Sequence, residues 1–253
     1  MKKNAAIWVI CVLIAVLCCV PLLSAPEKAV APDIFAVPPQ AMAVYAREQQ
    51  ISGTPWVLLA AADHAQSAAP DAQRVHEIAQ KIAPLSGTFG DPIEQGLDAL
   101  SRYDGSRHFL KMAGRQLLTL EPLYRMLAAG KDIAPGGQAQ HDLQENGQSG
   151  CTLTGCDQIM AAYNGRVIQA QESTVQIEYE NGWCMTFSGL IGVAAQQGGS
   201  IVAGEPIGTG ETVYVQMRAQ GQAIDPYPYI LLWKYPEKAK KPVAKSGGFL
   251  YDR

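Results

Sequence analysis

The sequence predicts an α+β protein of two domains behind an N-terminal transmembrane helix, on three observations. A charge-free run from Ala5 to Leu23 follows Lys2 and Lys3. From Pro39 to about Ala129, apolar residues recur at helical spacing. Beyond Gly150 the chain breaks into short β-branched and aromatic runs separated by glycines, the texture of an antiparallel sheet.

The apolar run, about 19 residues at roughly 1.5 Å each, approaches the hydrocarbon thickness of a bilayer. The two lysines ahead of it place the remainder outside the cytoplasm by the positive-inside rule. Residues 1–25 are therefore an uncleaved anchor, or a signal peptide cut after Ala25 at Leu23-Ser24-Ala25, in which case the protein is secreted. Residues 26–38, with Pro26, Pro32 and Pro38, read as an extended linker.

The helical domain is assigned to 39–129. Met42, Tyr45 and Ala46 share a face. Trp56, Leu59, Ala60 and Asp63 form the next, with Thr54 placed to cap and Pro55 in the first turn. Val75, Ile78, Ala79 and Ile82 make a third stretch and Ile93, Leu97 and Leu100 a fourth. A last series runs from Phe109 through Leu117 and Leu120 to Leu127.

Residues 130–150, rich in Gly, Gln and Asn, read as an exposed linker. The β-domain takes 151–232, with strands around Val167, Val175–Tyr179, Cys184–Phe187, Ile201 and Val213–Met217. Asn181-Gly182 is a strong hairpin signal. Residues 233–253, with Lys234, Lys238, Lys240, Lys241 and Lys245, read as a disordered basic tail.

Charge excludes one class of function. The formal net charge is −3, and it becomes −5 once Lys2 and Lys3, the only charges of 1–25, are set aside. A nucleic-acid binder needs a basic face. Of six cysteines, Cys11, Cys18 and Cys19 fall in the apolar segment, while Cys151, Cys156 and Cys184 lie in the exported part. Cys151 and Cys156 are close enough in sequence for a possible disulfide, and unpaired small apolar residues are an equal reading.

Residues 155–230 carry an ordered series of short motifs: Gly165-Arg166-Val167-Ile168, Val175-Gln176-Ile177, Glu180-Asn181-Gly182, Thr186-Phe187, Leu190, Gly204-Glu205-Pro206-Ile207-Gly208 and Gly221-Gln222-Ala223-Ile224-Asp225-Pro226. This succession resembles the LytM-type (lysostaphin-like) zinc peptidases of bacterial cell walls. The resemblance implies a zinc ion held by the His and Asp of H-x-x-x-D and by the second His of H-x-H, whose first His helps activate water. Here Asp157 matches the ligand Asp, but Leu153 stands in place of the His, and Val213 and Val215 replace the H-x-H pair. A further family His becomes Gly189. No His occurs after His141. Zinc is the cofactor the family implies, and its ligands are missing here: leucine and valine offer a metal no lone pair.

Ile51-Ser52-Gly53-Thr54-Pro55-Trp56 and the run Trp56-Val57-Leu58-Leu59-Ala60-Ala61-Ala62-Asp63-His64-Ala65-Gln66 resemble the opening of a lysozyme-like (lytic transglycosylase-type) domain. That family's general-acid Glu falls at Gln66, which cannot donate a proton to a glycosidic oxygen. Asp63, Asp71 and Glu77 lie nearby and read chiefly as solvated or capping residues.

Together these readings imply a membrane-anchored, extracytoplasmic pseudo-enzyme without catalytic residues. Its expected partners are peptidoglycan or an envelope protein, in hydrolase regulation or a division or sporulation complex. Two alternatives stay open: a peptidoglycan hydrolase with non-standard residues, and a protein-interaction module that does not bind the wall.

Overall fold

The computed structural model describes residues 33–67, 69–83, 91–143 and 149–234. The predicted anchor at 1–25 and most of the predicted tail lie outside them. Among the described residues no helix is long and apolar enough to cross a membrane.

The helical part comprises α1 (Pro39–Ser52), α2 (Trp56–Gln66), α3 (Ala72–Ile82), α4 (Pro92–Tyr103) and α5 (Arg107–Ala129). Local chemistry sets its boundaries. Asp71 accepts from the Arg74 N–H and caps α3, and Asp91 does the same for Ile93 and Glu94 at the start of α4. Gly53, at φ 72°, ends α1 in the left-handed conformation. Helix α2 has no side-chain cap from Thr54, contrary to expectation. Instead the Trp56 N–H donates to Gln49 Oε1 at 2.8 Å, so a glutamine of α1 satisfies the helix start.

The predicted apolar faces are buried except on α4, where Ile93 is half-buried and Leu97 is exposed. Leu97 is 45% exposed, and α4 instead packs Pro92, Gly96, Ala99 and Leu100 inward. Gly96 sets this rotation, because a Cβ there would lie 2.5 Å from Leu58 Cδ2, so α4 and α2 approach where no side chain intervenes. Ile34 and Val37 also join the core, from a 3-10 turn at Ile34–Ala36, so the end of the predicted linker is packed rather than extended.

The β part holds an eight-stranded antiparallel sheet. Its order is β1 (Gln138–Leu143), β2 (Ser149–Thr154), β10 (Thr212–Ala219), β6 (Trp183–Ser188), β5 (Thr174–Tyr179), β4 (Gly165–Gln171) and β8 (Ser200–Ile201), with β11 (Gln222–Ile224) also paired to β10. A smaller sheet runs β3 (Ile159–Met160), β9 (Pro206–Thr209), β7 (Gly192–Val193). The β5–β6 hairpin turns at Asn181-Gly182 as predicted. Gly182 sits at φ 81°, and Asn181 Oδ1 accepts the Trp183 N–H at 3.0 Å.

Strand β1 lies inside the stretch predicted as a linker. The chain after the sheet does not become a tail at residue 233: helix α6 (Tyr227–Lys234) buries Tyr229 through Trp233. This helix packs on α1, α5 and β1, and all described residues fall in one compact unit.

At the junction, Trp233, Trp183, Tyr163, Tyr179 and Tyr229 form aromatic contacts with centroids 5.2–6.0 Å apart, edge-to-face except for the tilted Trp183–Trp233 pair. Trp233 Nε1–H donates to Tyr163 Oη at 3.1 Å, and Tyr163 Oη donates to the Met126 carbonyl of α5, also at 3.1 Å. The β3–β4 connection, the last helix and α5 are therefore linked by one hydrogen-bonded relay.

Candidate functional site

Strand register gathers most of the positions singled out for zinc. Leu153 on β2 is paired directly with Val213 on β10, and Cys151 with Val215. Residues in direct register point to one face, and all four side chains are fully buried. Gly189 joins them at φ +87°: a Cβ there would meet the Thr212 carbonyl at 2.8 Å and Val213 Cα at 3.9 Å. A Cβ on Gly210 would lie 2.6 Å from Val213 Cγ2. Leu190 and Ile207 are buried alongside in the same core. Leu153, Val213 and Val215 thus form part of a closed apolar layer, with the backbone of the exposed Gly189 running beside its end.

Asp157 does not share this layer. It lies beyond the end of β2 and is exposed. Among the described residues, no group of three or more His, Cys, Asp or Glu side chains is placed to hold a metal. The residue types at the zinc-like positions do not fit the ion: three aliphatic side chains and a glycine supply no donor, and a single surface carboxylate does not make a zinc site.

The possible Cys151–Cys156 disulfide does not form; both are buried free thiols. Cys151 stands in the β2 ladder with its Sγ near the Thr152 carbonyl, whereas Cys156 follows the left-handed turn at Gly155 and its Sγ faces the Gly210 carbonyl at 3.9 Å. Burial first, then the charges of Asp142 and Asp225, push the Cys151 thiol up to about 12. Burial also raises Cys156 and Cys184.

The fold therefore favours the protonated Cys151 thiol. That contribution to stability is intact below the ordinary thiol value of 9.0 and is lost as pH climbs toward about 12. At mildly alkaline pH, an aromatic disulfide reagent is expected to leave Cys151 and Cys156 unlabelled in the folded protein and to label both in urea. A disulfide would keep both unlabelled in either state.

In the helical part, Gln66 is the last residue of α2 and is exposed, and its Nε2 donates to Tyr103 Oη. Asp71 is a cap, as expected, and Glu77 is exposed. Asp63 is neither solvated nor a cap. It is 1% exposed and held by Arg74 Nε at 2.6 Å and by Tyr45 Oη at 2.7 Å. Burial, reinforced by the hydrogen bond and charge of Asp63, drives the Tyr45 phenol far above its ordinary value, so it remains a donor.

One group escaped the sequence reading. His141 of β1 sits with Nε2 2.9 Å from Asp225 Oδ2, and its ring stacks on Tyr227 at a 4.8 Å centroid distance. Burial raises Asp225. The Asp225-Pro226 element was visible as a motif, but a histidine from the presumed linker gave no sign of meeting it.

No known protein-family profile matches the chain, and no curated protein matches it. Solved structures do resemble it in part. A chain from the crystal structure of a SpoIIIAH and SpoIIQ complex is 20% identical, with 34% of this chain and 75% of that one covered at a TM-score of 0.28. A putative peptidase M23 from Pseudomonas aeruginosa is 17% identical over 41% of this chain and 50% of that one, at 0.35. The catalytic domain of lysostaphin from Staphylococcus simulans is 19% identical over 42% of this chain and 96% of that one, at 0.30. All three TM-scores lie below 0.5, too low to carry a fold or a role across.

Proposed function

We propose that this is a membrane-anchored, extracytoplasmic protein of the bacterial cell envelope, a pseudo-enzyme. Its LytM-like sheet and lysozyme-like helical part bind peptidoglycan or hold a partner protein instead of cleaving the wall. It serves hydrolase regulation or a division or sporulation complex. The ordered glycine and hairpin motifs of 155–230 support the LytM reading. The observation that carries the loss of catalysis is the register of Leu153 with Val213 inside a packed apolar layer. A nucleophilic water and a metal need polar ligands and an open position, and this layer offers neither. Gln66 in place of an acid supports the same reading for the helical part.

The test uses the full chain in detergent micelles, incubated with purified sacculi and, separately, dialysed against zinc. The expected result is retention on sacculi with no release of wall fragments and no stoichiometric zinc. Stoichiometric zinc that disappears in Asp157→Ala would sink the proposal. Retention only on envelope proteins, and none on sacculi, would move the function from the wall to a protein partner.

A further inference from the structure

We propose that the groove walled by α1, α3, β1 and α6 binds a short peptide by its free C-terminal carboxylate, with Arg47 taking the carboxylate and His141 accepting a backbone N–H. The groove encloses about 840 Å³ and is lined by Arg47, Glu48, Ile51, His76, His141 and Tyr227, among others. That volume suits a small ligand.

Its charges decide what the ligand is. Glu48 is committed: both its oxygens face His76 Nδ1, at 3.1 and 3.2 Å, while His76 Nε2 lies 2.8 Å from Gln80 Nε2. Asp225 is committed to His141 and accepts the Tyr227 N–H at 3.0 Å. Arg47 is exposed and has no hydrogen bond or ion pair among the described residues. The one uncommitted charge of the groove is therefore a guanidinium, whose planar fork matches a carboxylate. A phosphate, carrying nearly two charges, would call for a second cation.

The remaining lining supplies the rest of a peptide end. His141 Nε2 lies 2.9 Å from Asp225 Oδ2, and its ring stacks on Tyr227 at the wall of the groove. With Nε2–H toward the carboxylate, Nδ1 is an acceptor for a peptide N–H. Ala43, Val44 and Ala72 are small and apolar, and Ile51 is 63% exposed at the same groove, which suits a small aliphatic side chain.

This inference rests on the wall-binding reading only in the source of the ligand, since wall stem peptides offer such ends. The experiment is titration calorimetry of the full chain in micelles with acetyl-Ala-Ala and with its C-terminal amide. The acid is expected to bind, with a loss of about tenfold or more on amidation and a similar loss in Arg47→Gln, partly recovered in Arg47→Lys. His141→Phe keeps the stack and should weaken the acid less than Arg47→Gln does. No binding of the acid, equal binding of acid and amide, or an unchanged affinity in Arg47→Gln would overturn the proposal. Sacculus binding is scored in parallel. Retention without peptide binding removes the groove and keeps the wall reading, whereas peptide binding without retention does the reverse.

Discussion

Trp233→Ala is expected to cost about 3–5 kcal/mol in urea unfolding, the range for deleting a large buried aromatic side chain. Trp233 is 2% exposed and touches Tyr163 and Trp183 with its rings 5.6 and 6.0 Å apart from theirs. The site cannot collapse cheaply around the cavity, because the neighbours are rigid aromatic rings and backbone. Gly130 shows how close the fit is: a Cβ there would lie 2.3 Å from Trp233 Nε1 and 2.8 Å from Tyr163 Oη. Trp233→Phe separates packing from hydrogen bonding. It keeps a ring but removes the donor to Tyr163, and should lose about 1–2 kcal/mol. The loss in Trp233→Ala should register on both the helical and the sheet part in one transition, since α6 packs against both. A loss below about 1 kcal/mol, or two separate transitions, would contradict the account of α6 as the shared core element.

That element also marks where the sequence was hard to read. The strands with strong β-branched or aromatic content, β4, β5, β6 and β10, were visible, as was the Asn181-Gly182 turn between β5 and β6. Strand β1 was not. Its Gln-Ala-Gln-His-Asp-Leu is polar because it is an edge strand, paired on one side to β2, and a polar run after Gly136-Gly137 resembles a loop. Helix α6 was hidden by its prolines and by the lysines that follow. Pro226 immediately precedes it and Pro228 lies in its first turn, both positions that need no intrahelical N–H.

The zinc-like positions show a different limit. Motif spacing singled out Leu153, Val213 and Val215, and the β2–β10 register sets Leu153 against Val213, two residues along the strand from Val215. Spacing did not place Asp157 on the surface, because the left-handed turn at Gly155 sets the direction of the chain there. Burial, too, came only with the fold. The same valines could line an open cleft or a core, and the close approach of Gly210 to Val213 decides for the core. In the helical part, Asp63 showed its helix face in the sequence but not its partners, which come from two other helices, Tyr45 from α1 and Arg74 from α3.

Those partners define the other large effect. Arg74→Met is expected to destabilise the protein by about 3–5 kcal/mol, because it leaves the Asp63 carboxylate buried with Tyr45 as its remaining side-chain donor. The Asp63 side chain is 2% exposed, against 26% for Arg74, so the carboxylate bears most of the desolvation and cannot recover it from water when the guanidinium goes. Arg74 also donates to the Ala69 carbonyl, so part of the loss is the anchoring of the α2–α3 connection. The double variant Arg74→Met/Asp63→Asn discriminates between these causes. If the stranded charge dominates, removing it should restore a large share of the stability, and the double variant will be more stable than Arg74→Met alone. If the lost anchor dominates, the two substitutions will add. Tyr45→Phe should cost less, about 1–2 kcal/mol, since Asp63 then keeps its ion pair and loses one neutral donor. A catalytic role for Asp63 would predict the opposite ordering of concerns, with exposure to a ligand and tolerance of Arg74 loss. The ion pair, sealed between three helices, makes this carboxylate a tie within the fold.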